Sequence, residues 1–370
     1  MKITLLQTSL QAALSIVQKA LPSKPALPVL SSIYFSITET TCTLAATDLY
    51  FGIKTTLPVQ ATESVIFTVP GKQLREIISS LPASKLTLEY NDGTLIIQSD
   101  KTKSSLQCQP PQDYPEFPVI SGSKLTLSAE HLQSINQYVG FSASTDMARP
   151  VLTAVYCRFE PASTTFVATD GFRLSVLALP GENTEENSSE LLIPARALQE
   201  LQKIQSLVEA QEVSICVSQE LRQILFTVGN VEVFVRLIEG EFPPYQKILP
   251  TAFTTESNLS KQEFEDNLKR ALIFARESSN IIRLIFTENK VILRAVSATL
   301  GMYEGELASS TYSGKDAEIA FNARYVLEYT QAVSGEALWF GMTESLRPAM
   351  FKTDQMADYQ YVVMPFKVNG

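Results

Sequence analysis

Apolar residues fall at two spacings along the chain, and the two spacings alternate with a long period of their own. Leu10, Ala13, Leu14 and Val17 recur at helical intervals, as do Phe264, Leu268, Ala271 and Leu272, which is the pattern of helices with one buried face. It predicts amphipathic helices over residues 5–20, 128–141 and 260–276. Ser128 and Ser260 have N-cap chemistry, the latter with Glu263 three residues on. Alternating runs predict strands after each helix: 32–38, 41–48 and 50–57; then 154–159, 165–168 and 173–179; then 282–287, 290–297 and 302–307. A second helix is predicted in each set, at 70–81, 194–207 and 322–333, and two of these open on a proline, whose missing N–H costs nothing in a first turn. Strands close the sets at 85–90, 94–99 and 104–108, at 212–217, 223–228 and 231–237, and at 337–341, 349–353 and 359–364.

One program therefore runs three times, with a period of about 123 residues. Ala46–Thr47–Asp48–Leu49 returns as Ala168–Thr169–Asp170–Gly171, a turn in which the Asp carboxylate can take the following N–H groups. The third copy has Ser297–Ala298–Thr299 there and lacks the acid. Copies one and two leave through proline-aromatic exits, Tyr114–Pro115–Glu116–Phe117–Pro118 and Phe242–Pro243–Pro244–Tyr245. These exits set the expected boundaries: domains over 1–121, 122–250 and 251–370, each α+β with two helices on antiparallel sheets.

Composition narrows the function. The 370 residues are 45% hydrophobic and 19% charged, an ordinary globular balance. Thirty basic against 39 acidic side chains give a net charge of −9, so the whole molecule repels nucleic acid and anionic membranes. Apolar runs are short, and Arg283 breaks the one around Ile282 and Leu284; no spanning helix and no secretory leader is expected, which predicts a soluble cytoplasmic protein. His131 is the single histidine, and Cys42, Cys108, Cys157 and Cys216 have neither metal-ligand nor redox spacing, so they read as buried, inert thiols. No nucleophile-elbow or phosphate-loop motif is present, and Asp48 and Asp170 read as turn residues, not as a catalytic pair. A catalytic role, a metal and a cofactor are not expected. A β-rich interaction scaffold unlinked to DNA fits the composition as well.

The motifs go further. Leu27–Pro28–Val29–Leu30, Ala46–Thr47–Asp48–Leu49, Arg149–Pro150–Val151–Leu152–Thr153, Ala168 through Leu174, Gly240 through Tyr245, Tyr312–Ser313–Gly314 and Tyr361–Val362–Val363–Met364–Pro365 follow one another in this order. In this the chain resembles the bacterial DNA polymerase III beta subunits, the sliding clamps, from end to end. The resemblance implies three clamp-type domains and a head-to-tail dimeric ring around duplex DNA. It implies a processivity factor that tethers the polymerase III catalytic subunit, the clamp loader and other proteins carrying clamp-binding motifs. Helix geometry is compatible: twelve helices spaced about 9–10 Å apart close a circle roughly 35 Å across, leaving about 25 Å clear once a helix diameter is removed. Lys19, Lys72, Arg75, Arg196, Lys203, Lys269, Arg270, Arg276 and Arg324 lie on or beside the six helices. The thirds hold 9, 9 and 12 basic against 9, 15 and 15 acidic residues, so weak sliding contact is expected, not tight DNA binding.

By matching position, the resemblance places DNA contacts at Lys24, Lys72 and Arg196, while Asp146, Pro150 and Val151 lack the polar or aromatic character seen there in the family. It places a peptide-binding pocket at Leu152, Thr169, Gly171, Phe172, Arg173, Leu174, Pro243, Lys247, Ile248, Leu346, Pro348, Val362, Val363, Met364, Pro365 and Phe366. Phe172, Pro348 and Phe366 depart from the family pattern, and residues 368–370 extend past its usual end, so a shifted peptide preference is expected. Ring closure is placed at Lys72, Gln73, Ile77 and Lys101 against Ile273 and Phe274.

Overall fold

Strand-forming segments alternate with short helices throughout a computed structural model that describes residues 1–100, 102–182, 189–287, 290–308 and 310–367. The first copy runs β1 (Lys2–Leu6), α1 (Gln7–Val17), β2 (Ser32–Ile37), β3 (Thr41–Thr47), β4 (Phe51–Pro58), β5 (Val65–Pro70), α2 (Gly71–Ser80), β6 (Lys85–Asn91), β7 (Thr94–Ser99) and β8 (Thr102–Gln107). The second repeats it as β9 (Ser123–Ser128), α3 (Ala129–Ser134), β10 (Ala154–Phe159), β11 (Ser163–Thr169), β12 (Arg173–Pro180), β13 (Ser189–Pro194), α4 (Ala195–Val208), β14 (Glu212–Ser218), β15 (Gln223–Val228) and β16 (Val231–Arg236). The third runs β17 (Thr255–Ser260), α5 (Lys261–Ala275), β18 (Ile281–Thr287), β19 (Lys290–Ser297), β20 (Gly301–Glu306), β21 (Thr311–Gly314), β22 (Ala317–Asn322), α6 (Ala323–Ala332), β23 (Ala337–Met342), β24 (Ala349–Thr353) and β25 (Met356–Val363).

The α+β class and the threefold repetition hold. Several boundaries differ. Each copy opens on a strand that the sequence reading leaves unassigned and that runs one or two residues into the expected helix: β1 pairs antiparallel with β6, Ile3 opposite Leu88, and buries Ile3. A further strand precedes each second helix, and β21 has no counterpart in the other copies. The helix expected over 128–141 ends at Ser134 and widens into a π-turn over Ile135–Val139, where the Tyr138 carbonyl accepts from the Tyr359 hydroxyl at 2.7 Å. Ser260 occupies the N-cap of α5 without a side-chain cap bond, and Glu263 instead accepts from the Ala308 amide at 3.0 Å. Asn322 does cap its helix, accepting from the Arg324 amide at 3.0 Å.

The chain gathers into two compact units, Met1–Ala129 with Glu200–Leu237, and Glu130–Gln199 with Ile238–Gly370. Each holds one long antiparallel sheet that crosses a repeat boundary and one four-stranded sheet. In the first unit the long sheet is ordered β5-β2-β3-β4-β16-β15-β14-β9, and the short one β1-β6-β7-β8. In the second they are β13-β10-β11-β12-β25-β24-β23-β17-β21 and β20-β19-β18-β22. Helices α1 and α2 bury Leu10, Leu14, Val17, Leu74 and Ile78 in the first unit's core. The second unit closes around a nest of rings in which Tyr329 lies 4.6 Å from Tyr361 and Phe340 lies 5.0 Å from Phe351. Among the described residues, no helix is long and apolar enough to cross a membrane.

Candidate functional site

Thr169–Asp170–Gly171 turns β11 into β12, and the turn is tied by its own side chains. The Thr169 hydroxyl donates to the Arg173 carbonyl at 2.6 Å and accepts from the Gly171 amide at 3.0 Å. One Asp170 oxygen takes the amides of Phe172 and Arg173 at 2.8 and 3.0 Å. Gly171 has φ +92, left-handed backbone that costs glycine nothing; Leu49 occupies the same place in the first copy at φ +80 and carries the strain. There Thr47 and Asp48 make the same bonds, Asp48 to the amides of Tyr50 and Phe51 at 2.9 and 2.7 Å. In the third copy the Ser297 hydroxyl accepts from the Thr299 and Leu300 amides at 3.2 and 3.0 Å, so the hydroxyl's role survives the loss of the acid.

Arg173 is the anchor of the turn, although its guanidinium is buried. It donates to Asp170 at 3.1 Å and to the Phe141 carbonyl at 2.7 Å, and it pairs with Glu328. The plane lies 4.7 Å from the Tyr325 ring and 5.3 Å from that of Phe141. Burial works to lower its pKa, but Tyr361, Glu328 and Asp170 outweigh burial and raise it, so the cation is fixed. Apart from Asp170 in the same turn, its partners come from distant elements and carry no local signal in the sequence.

The candidate pocket residues divide by exposure within the second unit. Thr169, Arg173, Leu174, Val362 and Val363 are buried, and Leu152 is nearly so. Leu174 and Val362 belong to a core cluster with Val167, Val176, Tyr245 and Met350, against which Ile248 packs. They form the floor. Phe172, Leu346, Met364 and Phe366 are exposed at 52, 61, 39 and 48%, and Gly171 and Lys247 are exposed as well. Pro243, Pro348 and Pro365 are half-buried. β12 and β25 meet with Arg173 opposite Val363 and Leu177 opposite Tyr359, and the Met364 amide extends the seam by donating to the Phe172 carbonyl at 2.8 Å. Phe172 lies against Tyr325 at 6.4 Å. The result is an exposed apolar rim of Phe172, Leu346 and Met364 over a buried floor, suited to an extended peptide, whereas Phe366 lies beside Ile281, Arg283 and Val296.

The equivalent seam in the first unit, β4 on β16, is filled by the chain itself. Phe117 stands 5.1 Å from Phe234, and the Lys54 ammonium lies 5.9 and 5.5 Å above those two rings. What remains is a cavity of about 90 Å³.

Lys24, Lys72 and Arg196 are exposed. Lys19 and Lys203 both pair with Glu200, at 3.1 and 2.8 Å; burial opposes ionisation of Glu200, but the two lysines hold its carboxyl below the usual range. Asp146 serves its own loop, taking the Ala148 amide at 2.9 Å. Lys72 and Gln73 are exposed and Ile77 half-buried on α2; Ile273 is 53% exposed on α5, and Phe274 stacks on Tyr303 at 6.1 Å. Lys101 and residues 368–370 lie outside the described residues. The strands expected at 104–108 and 302–307 are present as β8 and β20, but the sequence reading did not show that each ends its sheet, with residues all exposed or half-buried. Of the thiols, Cys42 and Cys157 are buried as expected, but Cys108 and Cys216 are only half-buried; burial pushes Cys42 up to about 12 and Cys108 to about 11.

Comparison with known proteins agrees along the whole chain. Three family models of the DNA polymerase III beta subunit match: the N-terminal domain over residues 1–118, the central domain over 126–244 and the C-terminal domain over 246–367. The beta sliding clamp of Synechococcus elongatus is 28% identical with 100% of both chains covered, and that of Staphylococcus aureus is 28% identical over 94% of both. Among solved structures, the beta subunits of Thermotoga maritima and Streptococcus pyogenes superpose with TM-scores of 0.92 and 0.93 at 25% identity, each covering 100% of both chains.

Proposed function

The chain belongs to the DNA polymerase III beta-subunit family, and from that premise we propose that two copies close head to tail into a ring that slides on duplex DNA. As a sliding-clamp homologue it is a processivity factor of DNA replication. The ring would tether the polymerase III catalytic subunit, the clamp loader and other partners through the groove over β12 and β25. The reading gives it no catalytic step of its own and a place in the cytoplasm.

One observation carries ring closure. Twice the third strand of a copy's sheet pairs with the last strand of the next copy, β4 with β16 and β12 with β25. The third such strand, β20, and the first copy's last strand, β8, are left with free edges. Exposed edges of this length invite pairing. Carrying the β4–β16 register across sets Met302 opposite Ser105 and Glu304 opposite Lys103 of a second copy. In β4–β16 that position is the Lys54–Glu232 ion pair at 2.8 Å, so the closing pair has the same geometry with the charges exchanged. Ile273 and Phe274 flank this edge, Phe274 through Tyr303 of β20, and supply the apolar part of the contact. Lys24, Lys72 and Arg196 supply diffuse phosphate contacts, and topological linkage supplies retention. Native mass spectrometry of the purified chain tests closure: the account expects a dimer, and a monomer at micromolar concentration refutes it.

A further inference from the structure

The helix that opens copy two ends on a π-turn, Ile135–Val139, closed by the Gly140 amide on the Ile135 carbonyl. Widening by one residue frees carbonyls that an α-helix would use, and side chains fasten the turn from four other elements. Asn136 sets its amide nitrogen on the carbonyls of Leu132 and Leu198 at 3.0 and 3.1 Å, the second of them on α4. Gln137 donates to the carbonyl of Ala332, the last residue of α6, at 2.7 Å. The remaining two ties come from the groove strands themselves. Tyr359 of β25 donates to the Tyr138 carbonyl and Arg173 of β12 to the Phe141 carbonyl, both at 2.7 Å. A cation at a helix C-terminus is favourable in its own right. Behind these ties runs a chain of buried hydroxyls: Tyr359 lies 3.3 Å from Ser175, and Ser175 lies 2.8 Å from Ser142. All three residues are 0% exposed. The hydroxyl of Tyr329, in the same nest of rings, has no partner among the described residues, so the packing there does not require a bonded hydroxyl.

We propose that Tyr359 is a positioning residue of the peptide groove. Fully buried, it touches no peptide. Its hydroxyl fixes the π-turn, the π-turn presents the Phe141 carbonyl to Arg173, and Arg173 holds the turn that carries Phe172 on the rim. With that carbonyl displaced, Arg173 keeps only carboxylates, Asp170 inside the turn and Glu328 on α6, and the second draws it away from the turn. The rim follows, because the Phe172 carbonyl also takes the Met364 amide at 2.8 Å. The role rests on the groove proposed above.

The test compares Tyr359→Phe with Tyr329→Phe in the full-length protein, since each keeps its ring and loses one hydroxyl. The probe is a fluorescein-labelled peptide carrying the clamp-binding motif of the polymerase III catalytic subunit. Fluorescence polarisation should give a dissociation constant about fivefold higher for Tyr359→Phe, the effect of one lost hydrogen bond, and an unchanged one for Tyr329→Phe. Hydrogen exchange without peptide reads the π-turn directly: amides of residues 136–143 should exchange faster in Tyr359→Phe than in the wild type or Tyr329→Phe. Wild-type affinity in Tyr359→Phe, an equal loss in Tyr329→Phe, or unaltered exchange over 136–143 would each overturn the positioning role. A wild-type protein that binds no peptide, with exchange changed as expected, would overturn the groove itself and the role with it, while showing that Tyr359 still fixes the turn.

Discussion

Replacing Glu304 with lysine sets two ammonium groups against each other where the ring closes. In the register carried over from β4 and β16, Glu304 faces Lys103 of the second copy, at the position where Lys54 and Glu232 stand 2.8 Å apart. An opposite-charge cross-strand pair contributes roughly 0.2–1 kcal/mol, and like charges directly opposite cost a similar amount. The exchange therefore weakens each contact by about 0.4–2 kcal/mol, and a ring has two contacts, so the dimer loses about 0.8–4 kcal/mol. At 1.4 kcal/mol per decade this raises the dimer dissociation constant by roughly 4- to 700-fold. Losing the Arg294 bond at 2.6 Å adds little, since both side chains are about 40% exposed. Sedimentation velocity over a concentration series reads the shift, and Lys103→Glu in the same chain should restore most of it. A dissociation constant unmoved by Glu304→Lys, or a double variant no tighter than the single one, would refute the register.

Arg173→Ala leaves Asp170 and the Phe141 carbonyl without their buried donor and should destabilise the fold by about 3 kcal/mol in urea titrations, with Arg173→Lys intermediate because an ammonium cannot serve three partners at once; a loss below about 1 kcal/mol would mean the network is slack. Met364→Ala should weaken clamp-binding peptides by about 1–2 kcal/mol through lost burial, and unchanged polarisation titrations would remove Met364 from the groove. Glu200 has a depressed carboxyl pKa, so its stabilisation is present above the ordinary glutamate range and lost as pH falls through the folded value; Glu200→Gln should flatten acid unfolding there, and an unaltered profile would show the two lysines to be idle.

The repeat was legible because its signals are local. Thr47–Asp48 and Thr169–Asp170 make their bonds within four residues, and the helix faces follow from spacing alone. Opening strands were not legible for the opposite reason. In β17 the buried positions include Thr255 and Ser257, polar residues satisfied only by the carbonyls of Lys315 and Thr311 at 2.8 and 2.6 Å, which a distant segment brings alongside. The end of β1, Leu5 and Leu6, reads as a helix start until β6 supplies its ladder. At the site, motif positions named the floor and rim together; burial separates Val362 from Met364, and that depends on packing across the sheet seam. The free edges of β8 and β20 emerged only from strand order, since Thr102–Gln107 and Gly301–Glu306 share no sequence pattern.

Retention on closed against cut DNA goes to the heart of the account. Loaded onto a nicked circular plasmid by a clamp loader and ATP, the protein should stay bound through gel filtration in high salt and leave once a restriction enzyme linearises the plasmid. Salt-sensitive release from the circle, or equal retention on circle and line, would contradict encirclement.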